Sequence, residues 1–167
     1  MQLRPERPAD APAIASLIAQ AFDGHPHSGG TEPAIVRELR AAGALTISLV
    51  AVDETGNIVG HIAFSPVTIA GRAGRWYGLG PISVLPALQR AGIGSRLMTD
   101  GLARLKALGA EGCVVLGEPA YYGRWGFAVH EGLVYPGVPP EYFMALAFAG
   151  GVPRGEVAYH AAFAAQA

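Results

Sequence analysis

The chain predicts an α+β fold: one mixed, mostly antiparallel sheet of about seven strands, about four helices and a single parallel β-α-β crossover. Three observations lead there. A β-branched run at 46–52 and an apolar run at 58–65 flank the turn Asp53-Glu54-Thr55-Gly56-Asn57, the pattern of a hairpin. An apolar segment at 79–85 passes through a glycine-bearing turn into an amphipathic helix at 92–108, and the apolar run at 113–117 reads as its parallel return. Two further strand-like segments, 142–148 and 155–160, are separated by the turn signal Gly150-Gly151-Val152-Pro153.

The remaining elements follow from capping and periodicity. Leu3 and Arg4 form a short first strand. Asp10 is placed to cap a helix whose Ile14, Leu17, Ile18, Ala21 and Phe22 share one face, and that helix ends near Asp23 and Gly24. The proline and glycines of 25–30 make a loop carrying His25 and His27. Thr31 and Pro33 open a second helix with Ile35, Val36 and Leu39 inward, stopping at Gly43. Residues 70–74, with two glycines, read as the turn before a fourth strand at 75–84. In the long helix, Ile93, Leu97, Met98, Leu102, Leu105 and Leu108 form a wide apolar stripe that must lie on the sheet, and Gly109 caps its end.

Composition narrows the function classes. The 167 residues fit one domain, 1–167, with 51% apolar and 15% charged residues. A formal net charge of -1 without a basic run argues against nucleic acid as a partner, because such binding needs cations to displace the counterions of phosphates. No apolar run reaches membrane-spanning length, so no membrane partner is expected. The single cysteine, Cys113, lies in the apolar run Cys113-Val114-Val115-Leu116 and reads as packing. With no apolar signal segment in Met1-Gln2-Leu3-Arg4-Pro5, the expected location is cytoplasmic.

The chemistry concentrates in Gln89-Arg90-Ala91-Gly92-Ile93-Gly94, where the apolar strand gives way to the long helix. The first amides of a helix have no intrahelical acceptor and sit at the positive end of its dipole, so such a turn binds phosphate. A polar residue, two residues, then Gly-x-Gly between strand and helix resembles the pyrophosphate loop of the GCN5-related N-acetyltransferase (GNAT) family. Downstream, Ala120-Tyr121-Tyr122-Gly123-Arg124-Trp125-Gly126-Phe127 is similar to the family's late motif, a tyrosine, three residues, then Gly-Phe. The closing Glu156-Val157-Ala158-Tyr159-His160-Ala161-Ala162-Phe163 resembles the ending of a poorly characterised bacterial branch.

The resemblance implies a GNAT-like acyl-CoA N-acyltransferase fold and an acetyl-CoA-dependent transfer to a primary amine by direct attack in a ternary complex. It places the pantetheine arm of acetyl-CoA between splayed fourth and fifth strands, against Ile82, Ser83 and Val84. The pyrophosphate falls at Gln89, Arg90, Ala91, Gly92, Ile93, Gly94 and Ser95. Gly78, Gly80 and Pro81 suit the strand bulge that in this family aims a backbone N–H at the thioester carbonyl. Tyr122 matches the tyrosine that hydrogen-bonds the departing sulfur, with Tyr121 as its adjacent rival. Ordinary pKa values of about 8.5 for a thiol and 10 for a phenol make full proton donation uphill by about 2 kcal/mol, so a strengthening hydrogen bond describes the role better. Arg124 reads equally as a phosphate contact or a solvated cation.

The general base stays open. Deprotonating a lysine-like amine at pH 7 costs about 4.6 kcal/mol, against about 1.4 for an α-amino group. Several family members carry an acidic residue on the fourth or a neighbouring strand, but here no acid lies between Arg75 and Arg90. Glu118, past the end of the fifth strand, is the acidic candidate; His25, His27 and a water chain are the alternatives. The scattered histidines and Cys113 suggest no metal site. A dinucleotide fingerprint fails at Leu97, which takes its third glycine position. The expected acceptor is a small-molecule or peptide amine, and a homodimer is possible. A catalytically idle acyl-CoA-binding module is the alternative from another class.

Overall fold

The computed structural model describes residues 1–26 and 28–166, so His27 lies outside the described residues. In chain order the elements are β1 (Gln2–Pro5), α1 (Ala11–Phe22), α2 (Glu32–Ala41), β2 (Ile47–Val52), β3 (Ile58–Ile69) and β4 (Arg72–Val84). Then come α3 (Ile93–Ala107), β5 (Gly112–Leu116), α4 (Pro119–Tyr122), β6 (Leu133–Val134), β7 (Phe143–Ala147) and β8 (Gly155–Tyr159). The sheet runs β1-β2-β3-β4-β5-β7, with β8 joining the far part of β3 and β6 joining β8. Pairing is antiparallel except for β4 with β5, which α3 connects, and a two-residue β6–β8 ladder. The sheet therefore has eight strands, where about seven were expected. Leu133–Val134 is too short for any alternation to announce it.

Each face of the sheet has its own cover. Leu97, Met98 and Leu105 of α3 pack on Leu49, Ile62 and Phe64, as the apolar stripe requires. On the opposite face Ile14 and Ile18 of α1 and Val36 of α2 meet Val50 of β2. A third cluster joins Val67, Trp76 and Val114 to Phe143 and Val157 in the carboxyl-terminal third.

Two local expectations are corrected. Asp10 does not cap α1 with its side chain; its carboxylate accepts from the Arg4 guanidinium at 2.7 and 3.1 Å and from the Arg7 N–H at 2.7 Å. A charged fork outcompetes a neutral amide for the same oxygens. The turn expected at 70–74 shrinks to Ala70 and Gly71, both at positive φ (52° and 72°), while Arg72 and Ala73 pair with Ile69 and Thr68. Such a two-residue loop matches the twist of the strands it joins, which outweighs the turn preference of Gly74.

A polar chain pins the first elements together. The Arg40 guanidinium of α2 donates to both oxygens of Glu6 at 2.7 and 3.0 Å, Ser48 of β2 donates to Glu6, and His61 of β3 bonds Ser48 Oγ at 2.8 Å. Burial pushes the Glu6 carboxyl up, but bonds from Arg40 and Ser48 outweigh it and hold the group below its ordinary value. His61 is fully buried, and desolvation lowers it to about 4, so it is neutral at physiological pH.

Candidate active site

The site begins where β4 and β5 part. Their parallel ladder runs from Trp76 opposite Gly112 to Leu79 opposite Val115 and stops there. Beyond it β4 stays with β3 as far as Val84, while β5 stays with β7 through Leu116 and Phe143. The parting coincides with a register shift of β3 against β4, two residues, Gly80 and Pro81, facing one, Ala63. The expected bulge at Gly80 and Pro81 is thus present, and β4 beyond it has one open edge.

Alternation decides which peptide groups face that edge. The Leu85 N–H donates to the Val59 carbonyl on β3 at 3.0 Å, so Ser83, of the same parity, also turns its peptide groups toward β3. Ile82 and Val84 turn theirs the other way. The Gln89 side-chain amide confirms this by donating to the Val84 carbonyl at 3.3 Å. Of the three strand positions anticipated for a pantetheine arm, Ser83 presents no main-chain group to the open edge, and its side chain is buried.

Beyond the end of β4 a single helical turn at Pro86–Leu88 leads to the glycine turn. Arg90 (φ 67°) and Gly92 (φ 89°, ψ 0°) both adopt left-handed conformations, and Gly92 is the N-cap of α3. Arg96 is the first residue whose N–H finds a helical acceptor, the Gly92 carbonyl at 3.1 Å, which leaves the amides of Ile93, Gly94 and Ser95 pointing out of the helix end. Nothing lies within 4 Å of the Cβ position of Gly92, so glycine is needed there for its backbone angle and not for space. Gly94 differs: a Cβ there would sit 3.0 Å from the Tyr121 hydroxyl.

The adjacent tyrosines therefore divide. Tyr121 leans on the first turn of α3, tilted against Trp125 (centroids 5.1 Å apart), whose indole N–H donates to Thr99 Oγ1 at 3.3 Å. Arg124 lies over both rings at 4.6 and 4.8 Å and donates to the Tyr121 carbonyl. Tyr122 turns toward the end of β5, where its Cε2 closes on the Cβ position of Gly117, and packs edge-on against Phe127. Burial, and then Tyr121, push the Tyr122 phenol up to about 12.

Glu118 is exposed, and its carbonyl accepts the Tyr121 and Tyr122 amides as the N-cap of α4. His25 is exposed beside Phe22, far along the chain from these strands. Cys113 is fully buried, and desolvation raises its thiol, which makes it core and not a nucleophile. A residue beside this crevice that sequence reasoning did not single out is Tyr159. It stands in a motif noted for its resemblance alone, and only the fold reveals that its ring reaches Gly78 of β4.

Residues 13–127 match the model of the Acetyltransferase (GNAT) family, a span holding β4, the glycine turn, α3, β5 and α4. The chain belongs to the GNAT acetyltransferase family. The chain is 38% identical over 135 residues to the uncharacterized N-acetyltransferase YhbS of Escherichia coli K12, covering 80% of this chain and 78% of the relative. The crystal structure of YhbS in complex with CoA superposes with a TM-score of 0.89 at 35% identity, over 98% of this chain and 92% of that one. A GNAT family acetyltransferase from Brucella melitensis, crystallised with acetyl-CoA, is 50% identical with a TM-score of 0.88 and covers 97% of both chains. The GNAT fold expected from the motifs is the fold observed. Among the described residues no helix is long and apolar enough to cross a membrane.

Proposed function

We propose that this GNAT member is an acetyl-CoA-dependent N-acetyltransferase that moves the acetyl group to a primary amine, small-molecule or peptide, by direct attack in a ternary complex. One observation carries the reading: the edge of β4 left open beyond Leu79 is followed, after one turn at Pro86–Leu88, by the unpaired amides at the start of α3. A pantetheine arm carries amides that pair with an open strand edge, and a diphosphate suits a helix N-terminus. The complexes of the Brucella relative with acetyl-CoA and of YhbS with CoA support the same assignment.

The residues then take these roles. Ile82 and Val84 hold the arm, and the loop from Gln89 to Ser95 holds the diphosphate, with Tyr121 as a lid on Gly94. The bulge at Gly80 and Pro81 aims a backbone N–H at the thioester carbonyl, where an amide stabilises the oxyanion as the amine attacks. The nitrogen–carbon bond forms, the carbon–sulfur bond breaks, and sulfur leaves carrying the electron pair. Tyr122 hydrogen-bonds that sulfur. At a pKa of about 12 its proton is about 3.5 units above an ordinary thiol, so transfer to sulfur is uphill by about 5 kcal/mol and the phenol acts as a donor that stays protonated. The proton lost by the amine leaves through water toward exposed Glu118 at the mouth.

Thiol release from acetyl-CoA with a set of primary amines, beside calorimetry with CoA, tests the proposal. Saturable binding with amine-dependent thiol release is expected. Absence of binding overturns the assignment; binding with no release from any amine supports the idle module, the reading favoured by the glycines at 78 and 80.

A further inference from the structure

Among the described residues, four buried side-chain atoms have no hydrogen-bond partner: His61 Nδ1, Ser65 Oγ, Ser83 Oγ and the Tyr159 hydroxyl. Folded proteins keep few such atoms, and a group of them asks for a purpose. All four residues belong to one face of the sheet. His61 stands opposite Ser83, Ser65 opposite Gly78, and Tyr159 opposite Val67, and the alternation of β3 puts His61, Ser65 and Val67 on the side away from α3.

Tyr159 reaches β4 from the far side of β3. Its ring starts on β8, crosses β3 and lies on β4, with Cε2 2.7 Å and Cδ2 3.1 Å from the Cβ position of Gly78. Cε2 is the atom nearer the hydroxyl and also the closer one, so the hydroxyl end of the ring is the end that reaches β4. Gly78 immediately precedes Leu79, the last residue of β4 paired with β5. Tyr135 and Phe163 hold the ring edge-on from its other sides, at 5.1 and 4.9 Å between centroids. Burial first, then Cys113 of β5, Tyr135 and Tyr122, raise its pKa, so the phenol stays protonated. Any side chain at position 78 would displace this ring, which fills the space where β4 itself offers no polar group.

We propose that the Tyr159 hydroxyl meets the incoming amine at the acyl end of the crevice, accepting a hydrogen bond from its N–H and holding its lone pair in line with the thioester carbon. This rests on the acetyl-transfer reading above. Tyr159 takes no proton; it positions the nucleophile on the face opposite α3, while Tyr122 serves the sulfur. The closing motif that begins at Glu156 thereby acquires a role: its strand delivers the hydroxyl and its Phe163 fixes the ring.

The test uses acetyl-CoA and hydroxylamine, a nucleophile small enough to enter any acceptor site. Tyr159→Phe is expected to raise the KM for hydroxylamine and lower kcat/KM by roughly tenfold, the size of one neutral hydrogen bond, with acetyl-CoA affinity by calorimetry unchanged. In parallel, 3-fluorotyrosine at position 159 is expected to give a 19F resonance that differs between the acetyl-CoA and CoA complexes. Coincident resonances, or wild-type hydroxylamine kinetics in Tyr159→Phe, overturn the inference and leave the transferase reading standing. No detectable binding of acetyl-CoA overturns both.

Discussion

Tyr122 and Tyr121 are neighbours in sequence with separate surroundings, and their difference follows from a single turn of helix. In α4 successive side chains point about 100° apart, so one tyrosine falls on the α3 N-terminus and the other on the end of β5. Tyr122→Phe keeps the packing against Phe127 and removes only the hydroxyl. Turnover is expected to fall roughly 10- to 100-fold, at the lower end of what positioned acid–base groups contribute, with CoA affinity by calorimetry unchanged. Because the phenol is held near 12, the wild-type kcat profile is expected to show no downward break from Tyr122 up to about pH 10. Wild-type turnover in Tyr122→Phe would reduce the residue to packing. The motif located this tyrosine; which of the two adjacent rings faces the crevice was beyond it, since that depends on α4 being helical for only four residues.

Among elements, the junction of β4, the glycine turn and α3 determines the site. Gly92→Val places a β-branched residue at φ 89°, a conformation such residues resist by about 1–3 kcal/mol. The turn relaxes, the amides of Ile93, Gly94 and Ser95 lose their common direction, and CoA affinity by calorimetry is expected to fall at least tenfold; an unchanged Kd would remove the turn from the site. The strand, turn and helix were legible because each has a local signal: an apolar run, two glycines and a 3.6-residue stripe. The orientation of peptide groups on β4 was not. Whether Ser83 or its neighbours face the open edge depends on strand pairing through Leu85 and Val59, a contact 26 residues apart that no local pattern encodes. For the same reason β6 escaped notice, a two-residue strand that exists only because β8 passes beside it.

At the scale of the molecule, the sheet was readable in its amino-terminal and central parts, where hydrophobic periodicity is strong. The course of the tail was not. β8 returns to pair with β3, so Gly78 and Tyr159, 81 residues apart in the chain, meet at one point. The same long-range assembly creates the Glu6–Ser48–His61 chain, and it makes stability depend on pH. His61 is lowered from 6.5 to about 4 in the folded chain, so between those values the unfolded chain binds the proton and the folded one does not. Its contribution is present in full above about pH 6.5 and lost as pH falls toward 4, about 3 kcal/mol in all. Glu6, held below its ordinary value, acts in the same direction at still lower pH. Urea midpoints are expected to fall from pH 7 to 4.5, and His61→Gln to flatten that slope; a pH-independent wild-type midpoint would contradict the desolvated histidine.

The parting of β4 from β5 beside a helix start without a side-chain cap is what the functional account stands on. A 1H–15N amide shift map recorded while CoA is titrated into the full chain tests it most directly. The account predicts the largest changes at Ile82, Val84 and the run from Ala91 to Ser95; a map centred elsewhere, with these amides unmoved, would contradict it.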